Sequence, residues 1–436
     1  MDVRSAQTSS DQSATTRRDF LKGSTAALAA GAVATKFSIA HGAFAAGSDI
    51  IKVGLVGCGG RGSGAAVQAL SADPHTRLTA MGDVFPDRLA DSLKSLKSQE
   101  IGERIEVEKD HQFTGIDAYK QVIASGVDVV LLCTPPHFRP AQIKAAIDAG
   151  KHVFAEKPIA VDAPGVRSVL ATCEEAKKKN LSIVSGLCWR YHNGMRATFE
   201  QIHAGAVGDI VAIQATYHTQ TLKKYARKPE WSDMEFQLRN WNGFTWLSGD
   251  FNVEQHVHSL DKVQWAMHDV PPIKATGVGG RQARTGPESG HVYDHFSVVY
   301  EYANGIKAFC SCRQMDGCDN DTSDHVFGTK GTCDVFKHTV NGANKWTYTG
   351  PKRENMYQTE HNEMFAAIRA GKPINNGDYM CKSTMMAILG RMSAYTGKTI
   401  TWEQALNSKQ DLTPPSYEWG PMPTPPVAVP GVTQFS

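Results

Sequence analysis

Runs of apolar residues punctuated by glycine and proline divide most of the chain. The run Ile51-Lys52-Val53-Gly54-Leu55-Val56 stops at glycines and resumes as Ser63-Gly64-Ala65-Ala66-Val67-Gln68-Ala69-Leu70, which predicts strand, tight turn and helix. A second run from Arg77 to Gly82 ends at Asp83, and after a polar helical region the fully apolar stretch Val127–Thr134 predicts a buried strand. A helix from Pro140 to Ala149 follows, with proline at its start and Gly150 at its stop. The strand His152–Ala155, a helix from Pro164 to Lys179 and a strand from Ser182 to Cys188 complete an alternating series. Strand–helix alternation predicts a parallel sheet that binds ligands at the carboxyl ends of its strands.

Beyond that series the period changes. Ile210–Tyr217 and Val292–Tyr302 predict strands, and Asn304-Gly305 turns the second into Ile306–Cys312 as a hairpin. Helices are expected over Glu360–Arg369 and Ser383–Thr396, and the proline-rich stretch from Leu412 to Pro430 reads as an extended strap. The segment from Thr221 to Trp246 fits neither period. It carries Trp231, Phe236, Trp241, Phe244 and Trp246 behind Lys223, Lys224, Arg227 and Lys228. Aromatic faces stack on the C–H faces of sugar rings, so it reads either as a sugar-binding loop, with Trp241 as a contact, or as a surface loop stapled by aromatics.

The chemistry lies at the ends of these elements. Gly57, Gly59 and Gly62 stand at G-x-G-x-x-G spacing, with Gly60 and Arg61 between them, and Asp83 follows 21 residues after Gly62. That order points to a dinucleotide, with pyrophosphate on the helix start and the acid on the ribose hydroxyls. The carboxylate favours NAD over NADP, although Arg61 or Arg88 would also suit a 2′-phosphate. If the stretch from Glu254 to Met267 is one helix, Glu254, His258, Asp261 and Trp265 share a face, and an imidazole flanked by acids is a general-base candidate. Asp294 and His295 are either site residues or a cross-strand pair.

Composition narrows the class. At 436 residues, with 41% hydrophobic and 21% charged residues, the chain has core for two or three domains. Thr16-Arg17-Arg18-Asp19-Phe20-Leu21-Lys22, a weakly apolar stretch from Gly23 to Ala34 and Ala43-Phe44-Ala45 form a twin-arginine signal pattern, so residues 1–45 read as an address cleaved near Ala45. That stretch is too short for a stable membrane span. Without residues 1–45, five bases and three acids leave totals of 46 and 44, so 41 of each remain. A neutral chain gives no electrostatic case for nucleic acid. Nine cysteines are spaced for neither zinc nor a disulfide framework and are expected as free thiols. Glu254, His256 and His258 remain a possible metal set, although no metal is expected.

The set GCGGRG at 57–62, Asp83, Thr134-Pro135, Glu156-Lys157-Pro158 and Glu254-x-x-x-His258 resembles the glucose-fructose oxidoreductase and inositol dehydrogenase family (Gfo/Idh/MocA), from about Ile51 to Ser408. The resemblance implies an α/β fold: an N-terminal Rossmann domain over 48–185 and a C-terminal α+β domain over 186–411, built on a large, mostly antiparallel sheet. Helices over 356–408 would fold back on the first domain, and residues 412–436 would form the tail. It also implies a homo-oligomer, dimer or tetramer, formed through that sheet. Thr134, Pro135, His137, Glu156, Lys157, Trp189 and Arg190 join the glycines and Asp83 as expected cofactor neighbours. Arg190, Tyr191, Asp261, His256 and His295 join Trp241 on the substrate side.

The implied reaction is hydride transfer between bound NAD, or NADP, and a carbinol of a sugar or polyol. His258 is then the base, oriented by Glu254, and Lys157 donates to the carbinol oxygen. The family pattern D-x-G-x-H is departed from here by Glu254 and His256. Export through the Tat machinery to the periplasm implies a tightly held cofactor that is recycled in place. The alternatives are an NAD-dependent glycosidase or lyase working through a transient keto-sugar, with His256 as the added acid or metal ligand, and a non-catalytic NAD-binding protein.

Overall fold

The computed structural model describes residues 49–351 and 354–436. The signal pattern of residues 1–45 lies outside the described residues. In chain order the first part forms β1 (Ile51–Val56), α1 (Gly60–Ala72), β2 (Thr76–Asp83), α2 (Pro86–Lys97), β3 (Gln112–Thr114) and α3 (Ala118–Ala124). It continues with β4 (Val129–Leu132), α4 (Arg139–Asp148), β5 (His152–Ala155), α5 (Ala163–Lys178) and β6 (Ile183–Ser185). The six strands are parallel in the order β3-β2-β1-β4-β5-β6. All four residues of β4 are buried, as expected for a strand covered by helices on both faces. Strand order reverses between β1 and β4, which opens a crevice at their carboxyl ends.

The second part contributes α6 (Asn193–His203), β7 (Ile210–Thr219), α7 (Val257–Ala266), β8 (Lys274–Gly280), β9 (His295–Glu301) and β10 (Lys307–Gln314). Then come β11 (Asp324–Gly328), β12 (Gly331–Asp334), β13 (Thr339–Gly342), β14 (Trp346–Thr347), α8 (Met356–Arg369), α9 (Gly377–Thr396) and β15 (Ile400–Thr401). The nine strands run β14-β13-β12-β11-β7-β10-β9-β8-β15 and are antiparallel except for the β7–β10 pair. One face of this sheet is covered by α7 and α9. The other leaves Val211, Val278 and Phe309 at least half exposed.

Helix α8 packs on α1, and α9 lies between α5, α7 and β8. Because α9 contacts layers on several sides, 16 of its 20 residues are buried and it has no polar face. Several boundaries differ from the sequence expectation. β6 stops at Ser185 and the chain turns through a 3-10 segment at Cys188–Tyr191. β9 begins only at His295, and the Asp294 carboxylate just before it accepts the backbone N–H groups of Gln282, Ala283 and Arg284. All nine cysteines are free.

Candidate active site

Where β1 meets α1, the backbone turns at Gly57 with φ +92°, and a Cβ there would lie 2.7 Å from the Cys133 carbonyl carbon and the Thr134 nitrogen. Only glycine lets the β1 and β4 ends approach so closely. Gly59 and Gly60, by contrast, face open space, and the start of α1 has no side-chain cap. Gly59, Gly60, Arg61 and Gly62 at this start line a cleft of about 390 Å³, within the range of small-molecule sites. Asp83 stands at the end of β2 on the same cleft, its carboxylate held by the N–H groups of Cys58 (2.6 Å) and Phe85 (2.8 Å). Burial pushes its pKa up, although both hydrogen bonds favour the anion. An uncapped helix start beside open glycines, with an acid on the neighbouring strand, fits a dinucleotide. Thr134 and Pro135 at the end of β4 line its other wall.

Toward the end of β5 the cleft is walled by Glu156, Lys157, Gly186, Glu254 and His258. Lys157 Nζ pairs with Glu254 Oε1 at 2.8 Å and also donates to the Glu254 carbonyl. Glu254 therefore orients Lys157 and not His258, contrary to the single-helix expectation. The cause is a break in the helix. A short turn over Phe251–Glu254 ends at Gln255 (φ −110°), His256 N–H reaches back to the Phe251 carbonyl at 3.1 Å, and α7 starts afresh at Val257. His258 is half buried, and no hydrogen bond from its ring is present among the described residues. Burial, Lys157 and Lys262 together hold its pKa well below the usual histidine range. A neutral imidazole thus faces the same space as a charged lysine ammonium.

Residues 51–184 match the family model described as "Oxidoreductase family, NAD-binding Rossmann fold", and residues 195–334 match the "GFO/IDH/MocA C-terminal domain". The chain belongs to the Gfo/Idh/MocA family. Inositol 2-dehydrogenase of Rhizobium meliloti (strain 1021) is 24% identical over 319 residues, which cover 72% of this chain and 86% of that protein. The 2,7-anhydro-N-acetylneuraminate hydratase of Escherichia coli (strain K12) is 27% identical over 179 residues, 41% of this chain and 44% of the relative. Two solved structures share the fold with a TM-score of 0.62. The aldose-aldose oxidoreductase of Caulobacter crescentus complexed with glycerol is 19% identical, with 81% of this chain and 99% of that one covered. GenD2 from gentamicin A biosynthesis in complex with NAD is 17% identical, with coverage of 81% and 96%.

Both departures from the family's D-x-G-x-H pattern have a structural account. Glu254 places its carboxylate on Lys157. His256 is turned into the core, fully buried, with Nδ1 on Asn252 Oδ1 at 2.9 Å, and burial lowers its pKa to about 3. It does not join Glu254 and His258, and among the described residues no group of three or more His, Cys, Asp or Glu is arranged to hold a metal.

Other expected contacts lie off the cleft. Arg190 makes a two-pronged pair with Asp261 (2.9 Å), a second pair with Asp269 (2.6 Å), and stacks on Trp265 and Tyr379. Asp261 also accepts from Ser383 at 2.8 Å, so the two expected substrate ligands bolt the Cys188–Tyr191 turn to α7 and α9. Trp189 packs edge-on against Phe336, and buried Tyr191 donates to Asn376 at 2.9 Å. His295 pairs with Asp294 at 2.8 Å on the sheet. His137 sits beside the cleft, 2.7 Å from the Tyr417 hydroxyl. Arg61 does line the cleft, but its guanidinium is engaged by Glu156, Gln68 (2.8 Å) and Glu360 (3.6 Å) and stacks on Tyr357.

Trp241 reaches the cleft wall, whereas Trp231, Phe236, Phe244 and Trp246 are buried in a cluster with Phe85. The aromatic segment is therefore mainly a staple. Arg139, absent from the sequence reading, lines the cleft and is 4% exposed, and its guanidinium ties the Thr134 and Pro158 carbonyls together (2.6 and 2.5 Å). It had a signal: a cation on the first residue of a helix opposes the helix dipole, and a local rule broken in this way marks a residue committed elsewhere.

Proposed function

We propose that this protein is an NAD(P)-dependent oxidoreductase acting on a secondary hydroxyl of a carbohydrate or polyol. The observation that carries this reading is the convergence of Lys157, Glu254 and His258 on the cleft that begins at the glycine turn. Lys157, aimed by Glu254, donates a hydrogen bond to the carbinol oxygen and stabilises negative charge as it develops there. His258, uncharged at neutral pH, takes the hydroxyl proton on its ring nitrogen. The dinucleotide, when bound, supplies the hydride acceptor. Gly59, Gly60, Asp83, Thr134 and Pro135 hold it. Capture of Arg61 by Glu156 and Glu360 supports NAD over NADP, since that guanidinium is committed elsewhere. The inositol dehydrogenases of Rhizobium meliloti and Thermotoga maritima among the relatives support polyols as the substrate class.

One relative supports a second reading. The Escherichia coli protein is named a hydratase, a reaction without net oxidation. A transient ketone that acidifies the neighbouring C–H, followed by elimination and return of the hydride, would place this chain among redox-neutral glycosidases or lyases, with no part for His256. The deciding experiment incubates purified protein, without added cofactor, with polyols, aldoses and glycosides and reads products by mass spectrometry. Loss of two hydrogens from one sugar together with reduction of another establishes the oxidoreductase. Cleaved or hydrated product without net oxidation establishes the second reading, and no product from any compound refutes both.

The twin-arginine pattern at Arg17 and Arg18 supports export to the periplasm, and with it a cofactor retained through turnover. Fractionation of cells expressing the full chain and its Arg17→Lys, Arg18→Lys variant tests this: both remaining cytoplasmic would refute it. Exposed Val211, Val278 and Phe309 on one sheet face support a homo-oligomer, to be measured by light scattering.

A further inference from the structure

The aromatic segment and the proline-rich tail leave the second sheet and converge on the loops that border the cleft at its Asp83 end. Helix Asp233–Arg239 lies against the loop after β2, where the Arg239 guanidinium stacks on Phe85 at 4.0 Å, pairs with Asp87 at 3.1 Å and is fixed from behind by Glu235 at 2.8 Å. From this segment Leu238 and Trp241 reach the cleft wall.

The tail packs on the outside of the same wall, against Phe85 and Phe138, which line the cleft. Leu412 N–H is anchored on Asp162 Oδ2 at 2.9 Å, ahead of α5, and the chain then crosses the loop after β4. There the Tyr417 hydroxyl meets His137 Nε2 at 2.7 Å, with its ring against Phe138. Two residues on, Trp419 packs against Phe85 with ring centroids 6.0 Å apart. The tail is then joined to helix Asp233–Arg239 by three hydrogen bonds, Met234 N–H to the Gly420 carbonyl, Gln237 to the Met422 carbonyl and Met422 N–H to Asp233. Phe85 and His137–Phe138 belong to the loops after β2 and β4, which flank the glycine turn. A dinucleotide whose ribose met Asp83 would have these loops on either side of its adenosine half, and strap and helix connect the two loops.

We propose that helix Asp233–Arg239 and the tail residues Tyr417–Met422 form a two-part clamp that retains the dinucleotide by tying the β2 and β4 loops together over its adenosine half. This rests on the dinucleotide site of the proposed function and gives cofactor retention a physical origin. For the nucleotide to leave, the loops must part, which breaks the Tyr417–His137 hydrogen bond and pulls Trp419 from Phe85. Release is then slower than from the same site without the strap, while the phosphate and ribose contacts are untouched.

The test uses the full chain and NAD itself. Protein is loaded with radiolabelled NAD, chased with excess unlabelled NAD, and the label remaining after rapid filtration is followed over time. Tyr417→Phe/Trp419→Ala removes the strap's hydrogen bond to His137 and its ring contact with Phe85, at residues that are 38% and 51% exposed, so the fold is preserved. Arg239→Ala removes the Phe85 stack and the Asp87 pair from the other side without altering the tail. Each variant is expected to release NAD at least tenfold faster than the parent, with the tail gaining protease sensitivity in the first variant only. Release at the parental rate in both variants overturns the clamp while leaving the dinucleotide site intact. Failure of the parent to bind labelled NAD overturns the proposed function, and the clamp with it.

Discussion

The pairing of Lys157 with Glu254 yields the sharpest test of how this site works. At 2.8 Å, opposite unit charges attract by about 6 kcal/mol at an effective dielectric of about 20. Desolvation cancels much of that. The two side chains are 13% and 12% exposed, so the pair is close to the buried limit, and about 2 kcal/mol of net coupling should survive. A double-mutant cycle over Lys157→Met and Glu254→Gln, read by urea unfolding of the unliganded protein, should return that coupling. A parallel cycle over His258→Ala and Glu254→Gln should return less than about 0.5 kcal/mol, because no hydrogen bond joins those side chains among the described residues. In kinetics, Lys157→Met should lower kcat by about a hundredfold or more through loss of an oxyanion donor. Glu254→Gln should act in the same direction and add little to Lys157→Met. Coupling found between Glu254 and His258 instead of Lys157 would refute the assignment of Glu254 as the residue that positions the lysine.

Gly186→Ala would place a Cβ 2.6–2.9 Å from three atoms of the Glu156 carboxyl group, which Arg61 holds in place, so urea stability should fall by about 1–3 kcal/mol. Asp83→Ser removes the anion facing the ribose, and calorimetry should show NAD affinity down about tenfold with NADP binding no weaker than before. Stability should also fall in acid. Burial lowers the pKa of His137, His152 and His291 to about 4 and of His256 and His361 to about 3, all below the usual value of about 6.5. Their contribution is complete above about pH 6.5, where both states are neutral, and is lost as pH falls toward 4 and 3, where the unfolded chain takes up protons. Asp250, held up to about 6, and Glu360, also raised, oppose this in part, because their stabilisation is present in acid and lost as pH rises through their folded pKa values. Urea midpoints from pH 8 to pH 4 should therefore be flat at first and then decline. A midpoint that rises on acidification would show that the acids outweigh the histidines.

Consecutive residues determined the nucleotide half of this protein. The spacing of Gly57, Gly59 and Gly62, the apolar run into each strand and the polar residue ending it are properties of a few neighbouring positions. The β1 turn, Asp83, Thr134-Pro135 and Glu156-Lys157 line one cleft. The hairpin at Asn304-Gly305 was legible for the same reason. From Glu254 onward the local pattern offered one helix face with Glu254, His258, Asp261 and Trp265, and the tertiary structure gave both of its acids to partners far away in sequence. Lys157, 97 residues distant, took Glu254, and Arg190, 71 residues distant, took Asp261. Helical periodicity says which residues share a face but not whether a distant charge will claim one of them. A buried charge must be paired, so each went to the partner that the packing of α7 and α9 supplied. The aromatic segment followed the same logic. Its composition suited a sugar, but Phe85 and a tail whose Tyr417 meets His137 across 280 residues gave those rings a dry surface, which only the folded chain brings together.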